Sequence, residues 1–227
     1  LHAYFLRPGD PKIPIVYQVD RIRDGRSFTT RRVAAIQGGE PIFHLSASFH
    51  VPEQGVTHQE QAPQVPDPET LPTWAEAAAR YAADYDEWMS RPRPIDVRHV
   101  GAPIRTTPGE QAPRPPSHQM WFRADGRLPD DPLLHTCLVA YASDMTLLDT
   151  IMLPHGVIWA EGIQVSLDHA MWFHRSFRAD EWLLYDQYSP SASGGRGLAT
   201  GTIFTRDGLL AVSVVQEGLL RTPISGR

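Results

Sequence analysis

The alternation of apolar and polar residues predicts β-strands in the first fifty residues. Apolar and β-branched side chains predict strands over residues 1–6, 15–19, 28–36 and 41–51, and a Gln-Gly-Gly turn at residues 37–39 joins the last two as a hairpin. Residues 52–72 are rich in Pro, Gln and Glu and offer little to bury, which predicts a surface linker. This region is therefore predicted to be a meander of strands followed by a linker.

Two stretches have the start signals and apolar spacing of helices. Thr73, followed three residues later by Glu76, has the pattern of a capping box and predicts a helix over residues 73–89. Asp131 is a candidate N-cap, and Pro132 after it suits the first helical position. The apolar spacing that follows predicts a second helix over residues 131–152.

A carboxylate interrupts the apolar stripe of the second helix. The stripe is formed by Cys137, Tyr141, Leu148 and Ile151, and Asp144 lies between them on the same face. The pattern therefore predicts that Cys137 is a core thiol and that Asp144 points toward the core. Burying an unpaired carboxylate is costly, so Asp144 must find partners or shift its pKa. A structural role and a chemical role both fit this position.

The remaining stretches after the linker are predicted to be strands. These cover residues 95–100, 119–123, 163–174 and 182–188, and a final hairpin over 195–206 and 209–220 turns at an Asp-Gly pair. On the last strand Gln216 interrupts an apolar face whose members are Leu210, Val212, Val214 and Leu220. An inward amide needs hydrogen-bond partners, either in nearby backbone or in a chemical site.

The chain also carries an internal repeat. The segment at residues 2–7 is similar to that at 169–175, and the hairpins after each copy recur about 170 residues apart. Chance similarity between short hairpins is the alternative. The second copy has a long helix in front of its strands, and we expect that the matching helix of the first copy lies in an N-terminal segment that the sequence lacks or that is not printed with it.

The repeat predicts an α+β fold of the double hot-dog type, in which each meander of strands wraps around one helix. Residues 1–51 would form the first unit, which is incomplete at its N-terminus. Residues 52–93 would form the linker and connecting helix, and residues 94–227 would form the second unit with the active site. Two sheets joined edge to edge would protect strand edges that otherwise invite aggregation.

Composition excludes several other classes of protein. The net charge of −5 argues against nucleic acid as the main partner, and no stretch reads as a membrane span or a signal peptide, so we expect a cytoplasmic protein. A single cysteine excludes an intrachain disulfide and a cysteine-rich zinc site. His169 and His174 should face opposite sides of their strand, and no cluster predicts a metal.

Several motifs in combination resemble the acyl-CoA thioesterase II family. They are LHAYFLRPGD at 1–10, RRVAAIQGGEPIFHLSASF at 31–49, AYASDMTLL at 140–148, DHAMWFHR at 168–175, EWLLY at 181–185 and VQEGLLR at 215–221. The resemblance covers nearly the whole chain and is weakest from residue 56 to 116. It implies a double hot-dog enzyme that hydrolyses acyl-CoA to free fatty acid and CoA, without a cofactor and as a homodimer or homotetramer.

The resemblance also implies the catalytic residues. The family's Asp, Thr or Ser, and Gln fall on Asp144, Ser166 and Gln216, with Ser in place of the more frequent Thr. Together they would activate a water molecule. The position that matches Gln216 in the first copy is Ala47, so each chain would carry one site. A non-catalytic acyl-CoA-binding or assembly module is the alternative function, and a hot-dog hydratase or dehydratase is a third.

Overall fold

The computed structural model describes residues 1–81, 94–104, 112–156 and 163–221. Its strands are, in chain order, β1 (His2–Phe5), β2 (Val16–Asp24), β3 (Phe28–Gln37), β4 (Glu40–His50), β5 (Ile95–His99), β6 (Ser117–Ala124), β7 (Ile163–Ser166), β8 (Asp168–Phe173), β9 (Leu183–Ser193), β10 (Arg196–Thr205) and β11 (Leu210–Arg221). The described helices are α1 (Trp74–Tyr81), α2 (Pro132–Ser143) and two 3₁₀ helices, Pro68–Thr70 and Leu148–His155. The predicted helix over 73–89 lies outside the described residues after Tyr81.

The described strands form one antiparallel sheet. Its order is β2-β3-β4-β1-β8-β11-β10-β9-β6-β5, and β7 pairs with β11 off this path. β1 and β8 meet near the middle, where Ala3 lies opposite His169. Outward from this junction the order is β4, β3, β2 on one side and β11, β10, β9 on the other. The predicted hairpin turns are confirmed, since Gly38, Gly39 and Gly208 have the positive φ that such turns require.

Helix start signals in the sequence match the helix starts in the structure. The Asp131 side chain accepts a hydrogen bond from the backbone N–H of Leu133 at 2.9 Å, and Pro132 is the first helical residue of α2. At α1, the Thr73 N–H donates to the Glu76 carboxylate at 2.8 Å, and the Glu76 N–H donates to Thr73 Oγ1 at 3.2 Å. These reciprocal bonds form the predicted capping box.

The predicted extent of the second helix is wrong, and its predicted buried stripe is only half right, since Leu148 and Ile151 are buried but Cys137 and Tyr141 are not. α2 ends at Ser143, and a turn separates it from the 3₁₀ helix Leu148–His155. Cys137 is exposed and Tyr141 is 56% exposed, whereas Val139 and Ala142 are fully buried. α2 is apolar on most of its circumference, so its periodicity could not reveal which face is buried.

The 3₁₀ helix Leu148–His155 packs tightly against two glycines of the sheet. A Cβ on Gly218 would lie 2.1 Å from Leu148 Cδ1, and a Cβ on Gly197 would lie 2.3 Å from Ile151 Cγ2. Carbon atoms in contact prefer separations of about 3.5–4.0 Å, so a larger residue would push the helix off the sheet. The two glycines therefore set how closely this 3₁₀ helix approaches β11 and β10.

The predicted linker lies against the opposite face of the sheet. The Trp121 indole donates to the Pro66 carbonyl at 3.0 Å, and the Trp182 indole donates to the Glu69 carboxylate at 2.8 Å. These two tryptophans form a second apolar cluster with Leu184 and Phe204. The linker thus covers apolar surface behind the half of the sheet that carries α2.

The other half of the sheet leaves apolar side chains open on the face that α2 occupies. Ala3 shares a face with His169, and alternation along β4 places Phe43, Leu45, Ala47 and Phe49 on this same face. Phe49 is 52% exposed, and Tyr17 and Val19, which lie on the same face of the sheet in β2, are 65% and 58% exposed.

One helical stretch of the described chain, Pro132–His155, is long and apolar enough to cross a membrane by length and composition alone. Half of its most apolar window is buried inside the fold. A core helix passes the same test, and the packing against Gly218 and Gly197 identifies this stretch as one.

Candidate active site

Three elements bring Asp144, Ser166 and Gln216 together. Asp144 follows the last residue of α2, Ser166 ends β7, and Gln216 lies in the middle of β11. β11 pairs with β7 through Gly218 opposite Ser166 and with β8 through Val215 opposite Ala170. Gln216 therefore sits where its strand passes from one partner to the other, on the face below the end of α2.

The Gln216 amide connects the other two side chains. Its Nε2 donates to Asp144 Oδ1 at 2.6 Å and to Ser166 Oγ at 2.7 Å. Gln216 is fully buried, whereas the Asp144 side chain is 43% exposed. The site therefore has a fixed amide at its base and a carboxylate that solvent can reach, although the sequence predicted that Asp144 would point into the core.

The end of α2 is held by side chains in place of the usual helix bonds. The Asp144 N–H bonds to the Ala142 carbonyl, so the Ala140 carbonyl loses its helical partner and accepts from Ser143 Oγ at 2.9 Å. The Tyr185 hydroxyl donates to the Ser143 carbonyl at 3.0 Å. Satisfied carbonyls allow the helix to stop here, with Asp144 at its C-cap.

The surroundings make Asp144 a stronger base than an ordinary carboxylate. Burial raises its pKa, while the hydrogen bond from Gln216 and the nearby His169 oppose that rise. The negative end of the α2 dipole disfavours charge at the same position. A carboxylate with a raised pKa holds a proton more readily, which suits a general base.

Two buried atoms next to this network have no hydrogen-bond partner among the described residues. They are Gln216 Oε1 and His169 Nδ1. His169 is 6% exposed, and its Nδ1 lies 4.0 Å from Asp144 Oδ1. Sequence reasoning treated His169 only as a possible metal ligand and so missed its position. Its place directly after Asp168, within the motif that follows Ser166, was the available signal.

The described residues contain no group of three or more His, Cys, Asp or Glu side chains arranged to hold a metal ion. The site consists instead of a carboxylate and a hydroxyl that are each hydrogen-bonded to the same amide. Such a set can orient and deprotonate a water molecule. Nucleophilic attack by a side chain would need a base beside the nucleophile, whereas Ser166 Oγ accepts its bond from an amide.

Two family models match the chain over most of its length. One, described as acyl-CoA thioesterase, matches residues 95–219, and the other, described as acyl-CoA thioesterase N-terminal domain, matches residues 1–50. The chain belongs to the acyl-CoA thioesterase II family. Family membership confirms the predicted resemblance and, since the related proteins are thioesterases, the predicted class of thioester hydrolase.

Relatives of this thioesterase family come from distant organisms. The chain is 41% identical to acyl-coenzyme A thioesterase 8 of Homo sapiens, covering 97% of this chain and 72% of that protein. It is 39% identical to acyl-CoA thioesterase 2 of Haemophilus influenzae, covering 97% and 78% respectively.

Solved structures support the fold. The acyl-CoA thioesterase II TesB2 of Mycobacterium marinum has a TM-score of 0.81 at 46% identity, covering 99% of this chain and 80% of its own. A protein of unknown function from Alicyclobacillus acidocaldarius, described as having a hot-dog fold, has a TM-score of 0.77 at 19% identity, covering 98% and 78%. The second likeness concerns the fold alone, and it supports the hot-dog class predicted from the sequence.

Proposed function

We propose that this chain hydrolyses acyl-CoA to a free fatty acid and CoA, with Asp144 as the general base. The observation that carries the proposal is the Gln216 amide, which donates to Asp144 and Ser166 together from a fully buried position. Because the amide is held in place, the two oxygens on either side of it keep a fixed separation. A water molecule between them would be positioned before the substrate arrives.

In the proposed reaction Asp144 accepts a proton from this water as the water oxygen attacks the thioester carbonyl. The tetrahedral intermediate then collapses, the C–S bond breaks, and the proton passes to the thiolate, which gives carboxylic acid and thiol. Thiols ionise near pH 8.5, so thiolate is a good leaving group and a positioned carboxylate can suffice as the base. We expect backbone N–H groups to stabilise the developing oxyanion.

The proposal is tested by thiol release from medium- and long-chain acyl-CoA, measured with Ellman reagent. Asp144→Asn should abolish turnover and leave the fold intact, because the amide cannot accept the proton. Asp186→Asn is the matched control, since Asp186 is also a carboxylate bonded to a glutamine amide, Gln119 Nε2, at 3.0 Å. Near-normal hydrolysis by Asp144→Asn would overturn the assignment.

The same assay separates the other functions. Saturable binding of acyl-CoA without thiol release would favour a binding or assembly module. Loss of ultraviolet absorbance from an enoyl-CoA would favour a hydratase.

We further propose the double hot-dog arrangement, with units at 1–51 and 94–227 joined by residues 52–93. Its support is the strand order on either side of the β1–β8 junction and the open apolar face of β1–β4, over which a second helix would complete the first unit. The segment that would supply this helix remains a prediction. A cytoplasmic location and a homodimer or homotetramer also stay predictions, and light scattering on the purified protein would test the oligomeric state.

A further inference from the structure

We propose that His169 is a positioning residue that acts through Asp144, by sharing on its Nδ1 the proton that the carboxylate takes from the attacking water. The inference rests on the proposed function. Its starting point is the placement of Nδ1, which is buried, has no partner among the described residues and lies 4.0 Å from Asp144 Oδ1. The proposal requires a protonated Asp144 carboxyl to turn toward Nδ1 and to donate a hydrogen bond to it across this gap.

The contacts of Ser143 leave Nδ1 as the free acceptor. Ser143 Oγ lies 2.9 Å from the Ala140 carbonyl and 2.9 Å from His169 Nε2. A carbonyl can only accept, so the single hydroxyl hydrogen goes to Ala140, and Ser143 Oγ accepts from Nε2–H. A neutral imidazole protonated on Nε2 then presents a lone pair on Nδ1 toward Asp144.

The surroundings of His169 suit a group that holds a proton briefly. Burial lowers its pKa, so the resting imidazole is neutral, while Asp144, the Gln216 amide and Asp168 each raise it. Tyr185, whose hydroxyl bonds to the Ser143 carbonyl, is a further titratable side chain beside Ser143, and burial and Asp144 raise its pKa well above the usual value. Tyr185 therefore stays neutral and does not compete for the proton. A proton on His169 Nδ1 would have Asp144 on one side and Gln216 Oε1, which has no partner among the described residues, on the other.

Two substitutions separate this role from simple packing. His169→Asn keeps an oxygen acceptor at the δ position but loses the donor to Ser143. His169→Gln keeps a donor at the ε position but has no acceptor at the δ position. Proton sharing predicts that the Asn variant is faster than the Gln variant, whereas a structural role predicts the reverse order.

The expected result for His169→Gln is a fall in kcat of at least about tenfold with little change in KM. Circular dichroism and thermal unfolding check that both variants are folded. A Gln variant at least as fast as the Asn variant would overturn the inference. If Asp144→Asn abolishes turnover in the same assay, that outcome leaves the proposed function standing, whereas an active Asp144→Asn variant would remove the basis of both.

Discussion

Replacing Gln216 with methionine isolates the contribution of its amide. Methionine has the same length and suits a buried site, but it donates no hydrogen bond. The change removes the 2.6 Å bond to Asp144 Oδ1 and the 2.7 Å bond to Ser166 Oγ. It also removes the buried Oε1, which has no partner among the described residues. Activity and stability should therefore respond differently.

The expected loss of activity follows from the strength of one charged hydrogen bond. A hydrogen bond to an ionised group contributes about 2 kcal/mol, which corresponds to a roughly 30-fold fall in kcat/KM if the bond acts only in the transition state. The Gln216 bond lowers the pKa of Asp144, so its removal should raise that pKa further and move the acid limb of activity to higher pH. Stability should change little, because a buried unpaired oxygen disappears together with the two bonds.

The assay is thiol release from acyl-CoA across pH, together with thermal unfolding. Gln187→Met is the matched control. Gln187 is also fully buried, and its Oε1 accepts from Thr146 Oγ1 at 3.0 Å, outside the Asp144–Ser166–Gln216 network. We expect the control to keep near-normal kcat/KM. A Gln216→Met variant within threefold of the unsubstituted protein, or an acid limb that stays in place or moves to lower pH, would refute the reasoning.

Two further predictions concern stability. Gly218→Ala should lower the free energy of unfolding by about 2 kcal/mol, since its Cβ would overlap the 3₁₀ helix, whereas a Cβ on Gly55 meets nothing within 4 Å and Gly55→Ala should be nearly neutral in thermal unfolding. Burial lowers the pKa of His99 to about 4 and that of His118 well below its usual value, so both stay neutral when folded and protonate when unfolded. Stability should therefore be complete above about pH 6.5 and fall as the pH drops toward 4, by up to about 1.4 kcal/mol per pH unit for each histidine. Urea unfolding at several pH values should show a weaker dependence in a His99→Gln, His118→Gln double variant but not in His58→Gln, and an unchanged slope in the double variant would contradict this assignment.

Much of the sheet could be predicted because alternation and turn residues act locally. Strands predicted over 28–36, 41–51 and 209–220 occur as Phe28–Gln37, Glu40–His50 and Leu210–Arg221. The strand predicted over 163–174 is two strands that break at Leu167, whose N–H bonds to the Glu217 carbonyl at 2.9 Å. That break depends on β11, which is distant in sequence. The polar second half of β2 was missed because exposed edge residues carry no apolar signal.

The site was predictable to different degrees. Asp144 and Gln216 stand out in the sequence because each interrupts a predicted apolar face, but their contact depends on the early end of α2, which the periodicity did not predict. Ser166 gave no such signal and was found through family resemblance. The contact between His169 and Ser143 joins residues on a strand and a helix whose packing the periodicity misjudged, so no local pattern could reveal it.

The position of Asp144 depends on the feature that helical periodicity failed to predict, the early end of α2. In a helix continued to residue 152, the Asp144 N–H would bond to the Ala140 carbonyl and the Ser143 carbonyl would accept from Leu147. Instead, Ser143 Oγ donates to the Ala140 carbonyl, and the Tyr185 hydroxyl donates to the Ser143 carbonyl. The chain then turns at Asp144 before the 3₁₀ helix packs on Gly218. The carboxylate is thereby held at the C-terminal end of α2, where burial raises its pKa and Gln216 can reach it. A regular helix would suit the sequence pattern better, but its backbone hydrogen bonds would carry the chain straight past Asp144, and the turn at this carboxylate would not form.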